Sequence, residues 1–155
     1  MKQLDAIDKR ILNILQDNGK LTNKEIAARL GMTVTPVYER IKKLEEYGFI
    51  QKYVALIDTS KLGFQLVAFC NVSLKEHSKA FLSRFEEEIK KFDEVITCYH
   101  IAGQFDYLLK VVIKDMEAYQ NFIVNKLASL ENIGNVQSSF VMTDVKSSTA
   151  VKLFY

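Results

Sequence analysis

The sequence predicts an α+β protein: an N-terminal (winged) helix-turn-helix domain followed by a ferredoxin-like βαββαβ domain. Three observations carry this. Apolar residues recur at three- and four-residue steps up to Gly48. Beyond Gly63 the pattern becomes four short strand-like runs separated by two helical ones. Between them, Asp58-Thr59-Ser60 supplies turn chemistry within a stretch that has neither period. The expected division is therefore residues 1–52, a linker over 53–63, and a second domain over 64–155.

The first helix is read from Leu4, Ile7, Ile11, Leu12, Ile14 and Leu15, with Asp5 and Asp8 at its positive end and Asn18-Gly19 after it. Thr22 and Glu25 form a capping box for the second, inside the Leu21–Ile26 staple. Ile26, Ala27 and Leu30 give that helix its apolar side, and Gly31 stops it. A third helix starts near Thr33 or Thr35. Pro36, the only proline, falls in its first turn, where a missing N–H costs little. Val37, Ile41 and Leu44 form one face, Gly48 ends it, and a short extended segment follows. In the second half, Val67–Leu74 reads as a strand, His77–Phe92 as a helix, Val95–Ala102 as a strand, Gly103–Asp106 as a turn and Tyr107–Ile113 as a strand. A helix from Asp115-Met116 carries Tyr119, Phe122, Ile123, Leu127 and Leu130 inward, and Val136–Val145 is the last strand.

Composition excludes several classes. No apolar run reaches the ~20 residues of a membrane span, and the first eight residues lack the apolar core of a secretory signal. Cys70 and Cys98 sit far apart in apolar runs, which fits buried thiols in a reducing cytoplasm; with only two histidines, neither a disulfide framework nor a metal site is expected. No cofactor motif is present. Catalysis has no support either: there is no nucleophile elbow, glycine-rich phosphate loop or HExxH. Glu86-Glu87-Glu88 reads as a solvated helix face, and His100 as a strand residue facing solvent or an interface. Charge is mildly asymmetric, with 11 Lys and Arg against 8 Asp and Glu up to Gly63, and 10 against 11 after it.

The second and third helices, joined by a tight glycine turn, describe a helix-turn-helix whose partner is double-stranded DNA. The third helix exposes Thr33, Thr35, Tyr38, Glu39, Lys42 and Lys43, with Arg40 near the edge of its buried face. Hydroxyls, an aromatic and cations are the groups that bond phosphates and base edges. Thr22 and Asn23 stand at another helix N-terminus, where backbone N–H groups suit a phosphate. A three-helix core with a merely solvated charged face shares the same periodicity. In the second half, a four-stranded sheet with helices on one side leaves its other face bare, and a homodimer covers it economically. In the Gly103-Gln104-Phe105-Asp106 turn, Asp106 either caps the turn or takes an ammonium group.

Leu4–Leu12, Asn18-Gly19-Lys20, Ile26–Thr33, Arg40–Ile50, Gly103–Leu109 and Val145-Lys146 together resemble the Lrp/AsnC family of prokaryotic transcription regulators. The resemblance implies a regulator of amino-acid metabolism whose dimers assemble into tetramers or octamers. It also implies a small effector, an amino acid, bound where dimers meet. Thr33 to Tyr47 becomes the recognition helix, and Arg40 matches the usual basic position, while Glu39 departs from the common pattern in which a second basic residue precedes it. The effector site falls on Gly103, Gln104, Phe105 and Asp106, with Tyr99, Met116, Ser139, Phe140 and Val141 lining it. The other reading is an amino-acid-sensing or interaction module that does not read DNA specifically.

Overall fold

The computed structural model describes residues 3–154. It divides into two compact units. One runs to Leu56 and takes up the chain again from Lys146; the other is Ile57–Val145.

In the first unit, α1 (Ala6–Asp17), α2 (Asn23–Leu30) and α3 (Val34–Glu46) close around Ile11, Leu12, Ile26, Ala27, Leu30, Val37, Ile41 and Leu44. Two capping boxes start α1 and α2. Asp8 N donates to Asp5 Oδ1 at 2.8 Å and Asp5 N to Asp8 Oδ2 at 3.2 Å; Thr22 N donates to Glu25 Oε2 at 2.7 Å and Glu25 N to Thr22 Oγ1 at 3.3 Å. Each box satisfies donors that the first helical turn leaves without partners. Gly31 ends α2 at φ +67°, a conformation that costs any side-chain-bearing residue ~1 kcal/mol or more. The turn places α3 against α2, with Thr33 as the N-cap of α3 and Pro36 in its first turn. Residues 51–58 have no strand partner among the described residues.

The second unit opens with a 3-10 turn, Thr59–Leu62, closed by Gly63. Then follow β1 (Leu66–Leu74), α4 (Lys79–Ile89), β2 (Val95–His100), β3 (Tyr107–Ile113), α5 (Met116–Asn121) and β4 (Ile133–Phe140). The sheet is antiparallel in the order β2-β3-β1-β4. Ala68, Cys70, Val72 and Leu74 are buried under α4 and α5, with Tyr107, Leu109, Val111 and Ile113 beside them. The alternate residues of β1 and β3, Val67, Phe69, Asn71, Leu108, Lys110 and Val112, form the bare face and are only half-buried.

Four expectations need correction. The last strand ends at Phe140, not Val145: Phe140 pairs with Ala68 near the start of β1, so residues beyond Val141 have run out of partner strand. The second inward helix is α-helical only to Asn121 and then winds as a π-helix over Phe122–Leu127. The wider winding brings residues five apart onto one side, which lets both Phe122 and Leu127 be buried. Residues 146–154 pack with the first unit and not the second, because Leu153 joins the core around α1. Finally, Glu86 is not simply solvated; it accepts the Tyr107 hydroxyl at 2.9 Å.

Candidate nucleic-acid interface and effector site

The buried stripe of α3, Val37, Ile41 and Leu44, fixes which side chains it turns outward. Thr33, Thr35, Tyr38, Glu39, Lys42 and Lys43 are exposed. The Thr33 side chain makes no cap bond, so its hydroxyl is available to a ligand. Lys42 lies 3.9 Å from Glu46, a loose surface pair.

Arg40 is different. Its Nη1 donates to Asp5 Oδ2 at 2.6 Å and to Asp8 Oδ1 at 2.7 Å. These bonds raise the guanidinium pKa further and help hold Asp5 below the usual carboxylate range, after the Asp8 N–H. Arg40 thus clamps α3 to the start of α1. The sequence reading placed it among DNA contacts and missed Asp5 and Asp8 as its partners, although three carboxylate or guanidinium residues at helix edges were visible. Thr22 is also committed: its Oγ1 donates to Glu25 Oε2 at 2.8 Å. The Thr22 N–H and hydroxyl hold the Glu25 carboxyl below its usual value, so an anion approaching this helix start meets a carboxylate. Asn23 is half-buried beside it.

A cleft of about 360 Å³ lies along α3, walled by Tyr38, Lys42, Glu45 and Tyr53 among others. Tyr53, expected in the linker, instead belongs to this unit. Its hydroxyl donates to Glu45 Oε1 at 2.9 Å, and a β-carbon on Gly19 would stand 3.3 Å from its ring. Burial, with Glu45 adding to it, pushes its pKa up to about 12.

In the second unit, the expected effector residues fall into two groups. Gly103–Asp106 join β2 to β3 at the end of the sheet where Tyr107 faces Val72. Gly103 takes φ +149°, a region that favours glycine. Asp106 N donates to Val72 O at 2.9 Å and Ile101 N to Asp106 O at 2.8 Å. The Asp106 carboxylate accepts Leu74 N at 2.7 Å and meets His77 Nε2 at 3.0 Å. It therefore ties the turn to the end of β1, and His77 is a neighbour that sequence spacing did not suggest. Tyr99, 57% exposed, faces Leu108 on the bare side of the sheet.

Met116, Ser139, Phe140 and Val141 lie at the opposite end. Phe140 pairs with Ala68, and Val141 N donates to Val67 O at 2.9 Å. Val72 lies four residue steps along β1 from Ala68, so the turn and the Phe140 end stand ~13 Å apart along the strand. Tyr99 and Ser139 are on opposite edge strands, ~14 Å apart at the usual spacing. At this second end, Tyr119 organises the packing. Its hydroxyl bonds to Ser138 Oγ and lies 3.2 Å from Cys70 Sγ, and its ring meets Phe140 edge-on with centroids 5.0 Å apart. Burial is the main reason that its hydroxyl titrates well above the usual tyrosine range.

Both cysteines are free, Cys70 buried and Cys98 half-buried. No group of acidic, histidine or cysteine side chains among the described residues could hold a metal ion. No helix among them is long and apolar enough to cross a membrane.

Comparison with known proteins agrees with both units. Residues 4–51 match a winged helix-turn-helix DNA-binding family and residues 67–151 the Lrp/AsnC ligand binding domain. The Bkd operon transcriptional regulator of Pseudomonas aeruginosa is 37% identical over 153 residues, 99% of this chain and 100% of the relative. The leucine-responsive regulatory protein of Rhizobium meliloti is 38% identical over 151 residues, 97% of each. Among solved structures, a transcriptional regulator from Neisseria meningitidis in complex with L-Met superposes with TM-score 0.93 at 35% identity, over 96% of both chains. An AsnC family regulator from Agrobacterium tumefaciens gives 0.91 at 37%, again over 96% of both. Two domain matches covering nearly the whole chain, full-length relatives above 30% identity and a recognition helix turned outward lead to one conclusion: the chain belongs to the Lrp/AsnC family of DNA-binding transcription regulators.

Proposed function

We propose that this regulator binds an amino-acid effector between two copies of the chain and changes its DNA affinity in response. The observation that carries the reading is the ~13 Å split between the two groups of effector residues. One copy offers the Gly103–Asp106 turn with Tyr99; a second offers Met116, Ser139, Phe140 and Val141. A turn with free backbone N–H groups suits a carboxylate, and Asp106 suits an ammonium. Met116 and Phe140 are 46% and 41% exposed, which suits an apolar effector side chain. The complex of the Neisseria meningitidis relative with L-Met supports an amino acid as the ligand class.

On DNA, α3 enters the major groove with Thr33, Thr35, Tyr38, Glu39, Lys42 and Lys43; Thr22 and Asn23, beside the Glu25 carboxylate, are left out of the contacts to phosphate. Arg40 acts by holding α3, not by touching DNA. The bare sheet face forms a homodimer, which supplies two copies of the helix-turn-helix, and dimers assemble further into tetramers or octamers. The protein works in the cytoplasm.

The test is the mass of the protein in solution, and a mobility shift on DNA upstream of its own gene, each with and without the twenty amino acids. A change in assembly or DNA affinity on adding one amino acid supports the reading. A monomer in all conditions defeats it. Specific amino-acid binding with no preference for that DNA over a scrambled duplex favours a sensing module instead.

A further inference from the structure

Helix α1 carries a stripe that takes part in neither site. Lys9, Asn13 and Gln16 are spaced four and three residues apart, which aligns them on one side of the helix. The stripe is occupied by the extended end of the chain. Asn13 Nδ2 donates to Leu153 O at 2.8 Å, and Leu153 N donates to Asn13 Oδ1 at 3.0 Å. Gln16 repeats the exchange with Val151, donating at 3.0 Å and accepting at 2.7 Å. Lys9 Nζ donates to Phe154 O at 3.0 Å. In an extended strand, residues two apart present their N–H and C=O groups to the same side. Two side-chain amides therefore imitate a strand edge, and Leu153 adds an apolar anchor in the core around α1.

We propose that α1 is a docking site for an extended peptide, that residues 151–154 of this chain are its occupant, and that this docking couples the effector domain to the DNA-binding domain. The covalent path is continuous: residues 142–150 join Val141, which is bonded to Val67 O, to the first docked residue, Val151. At the other end of α1, Asp5 and Asp8 hold Arg40 of α3. A rearrangement at Ser139–Val141 thus pulls on the docked segment, which shifts α1 and with it the recognition helix. The coupling rests on the effector reading above; the docking does not.

The experiment uses the full chain with Asn13→Ala/Gln16→Ala. Alanine favours helix at both positions, so α1 keeps its form. A second variant, Val151→Pro, removes one docking donor from the peptide side. Two quantities are measured: hydrogen exchange at the Val151 and Leu153 amides, and DNA affinity with and without a mixture of the twenty amino acids. The expected result is protected amides in the wild type only, DNA affinity without amino acids unchanged within about twofold, and loss in both variants of an amino-acid response of about fivefold or more. Variants that lose protection yet respond like the wild type overturn the coupling. A wild type with unprotected amides overturns the docking. A wild type with protected amides that ignores every amino acid overturns the effector reading and the coupling together, and leaves the docking upheld.

Discussion

Replacing Arg40 with alanine separates a clamp from a DNA contact. The Arg40 side chain is 30% exposed, and its two partners differ: the Asp5 side chain is 51% exposed and the Asp8 side chain 19%. The exposed pair is screened by water and contributes ~0.5 kcal/mol. The bond to the better-buried Asp8, a charged hydrogen bond, contributes ~1–1.5 kcal/mol. Arg40→Ala should therefore destabilise the first unit by ~2 kcal/mol, a factor of ~30 in its folding equilibrium. Urea unfolding followed by circular dichroism reads this. A double-mutant cycle with Asp8→Ala isolates the pair, because the capping bonds that Asp8 also makes cancel around the cycle. The expected coupling is ~1 kcal/mol, and a value within the ~0.3 kcal/mol error of additivity refutes the clamp. The second arm is the salt dependence of DNA binding. A clamp leaves the slope of log K against log salt unchanged, whereas a lost phosphate contact lowers it by ~1. A slope that falls by one returns Arg40 to the DNA-contacting set.

Other outcomes follow from the same geometry. Lys43→Ala should weaken binding to every DNA sequence and lower the salt slope by ~1, measured by fluorescence anisotropy across a salt series. Asp5 has a lowered carboxyl pKa in the folded protein, so its stabilising effect is complete above 3.8 and is lost as pH falls through the lower folded value. The stability difference between wild type and Asp5→Asn should thus hold from pH 7 to about pH 5 and shrink below about pH 4 in urea titrations. Asp106→Ala removes the acceptor of the Leu74 N–H; it should cost ~1–2 kcal/mol of stability in the second unit and abolish the amino-acid response. Burial, with Glu86 adding to it, pushes the Cys98 thiol up to about 11, so its alkylation rate should rise roughly tenfold per pH unit from pH 7 to 10.

The sequence alone determined the two units and nearly every element, because the signals that specify them are local. Capping boxes at Asp5/Asp8 and Thr22/Glu25, the Gly31 turn and the alternation along Val67–Leu74 act within a few residues. The outward residues of α3 were legible for the same reason, since Val37, Ile41 and Leu44 fix the buried side. What the tertiary structure decided is pairing between distant residues. Arg40 meets Asp5 and Asp8 more than thirty residues away, and Asp106 meets Leu74 and His77. Tyr53 turns back onto Glu45, Tyr119 gathers Cys70 and Ser138, and the chain end settles on α1. Tyr99, Ser139 and Phe140 stand on strands and Gly103–Asp106 in a turn, as local pattern suggests, while Val141 lies past the last strand; the division of these positions between opposite ends of the sheet follows from strand order and register. Periodicity says which face a residue takes; only the closed fold says which partner stands opposite it.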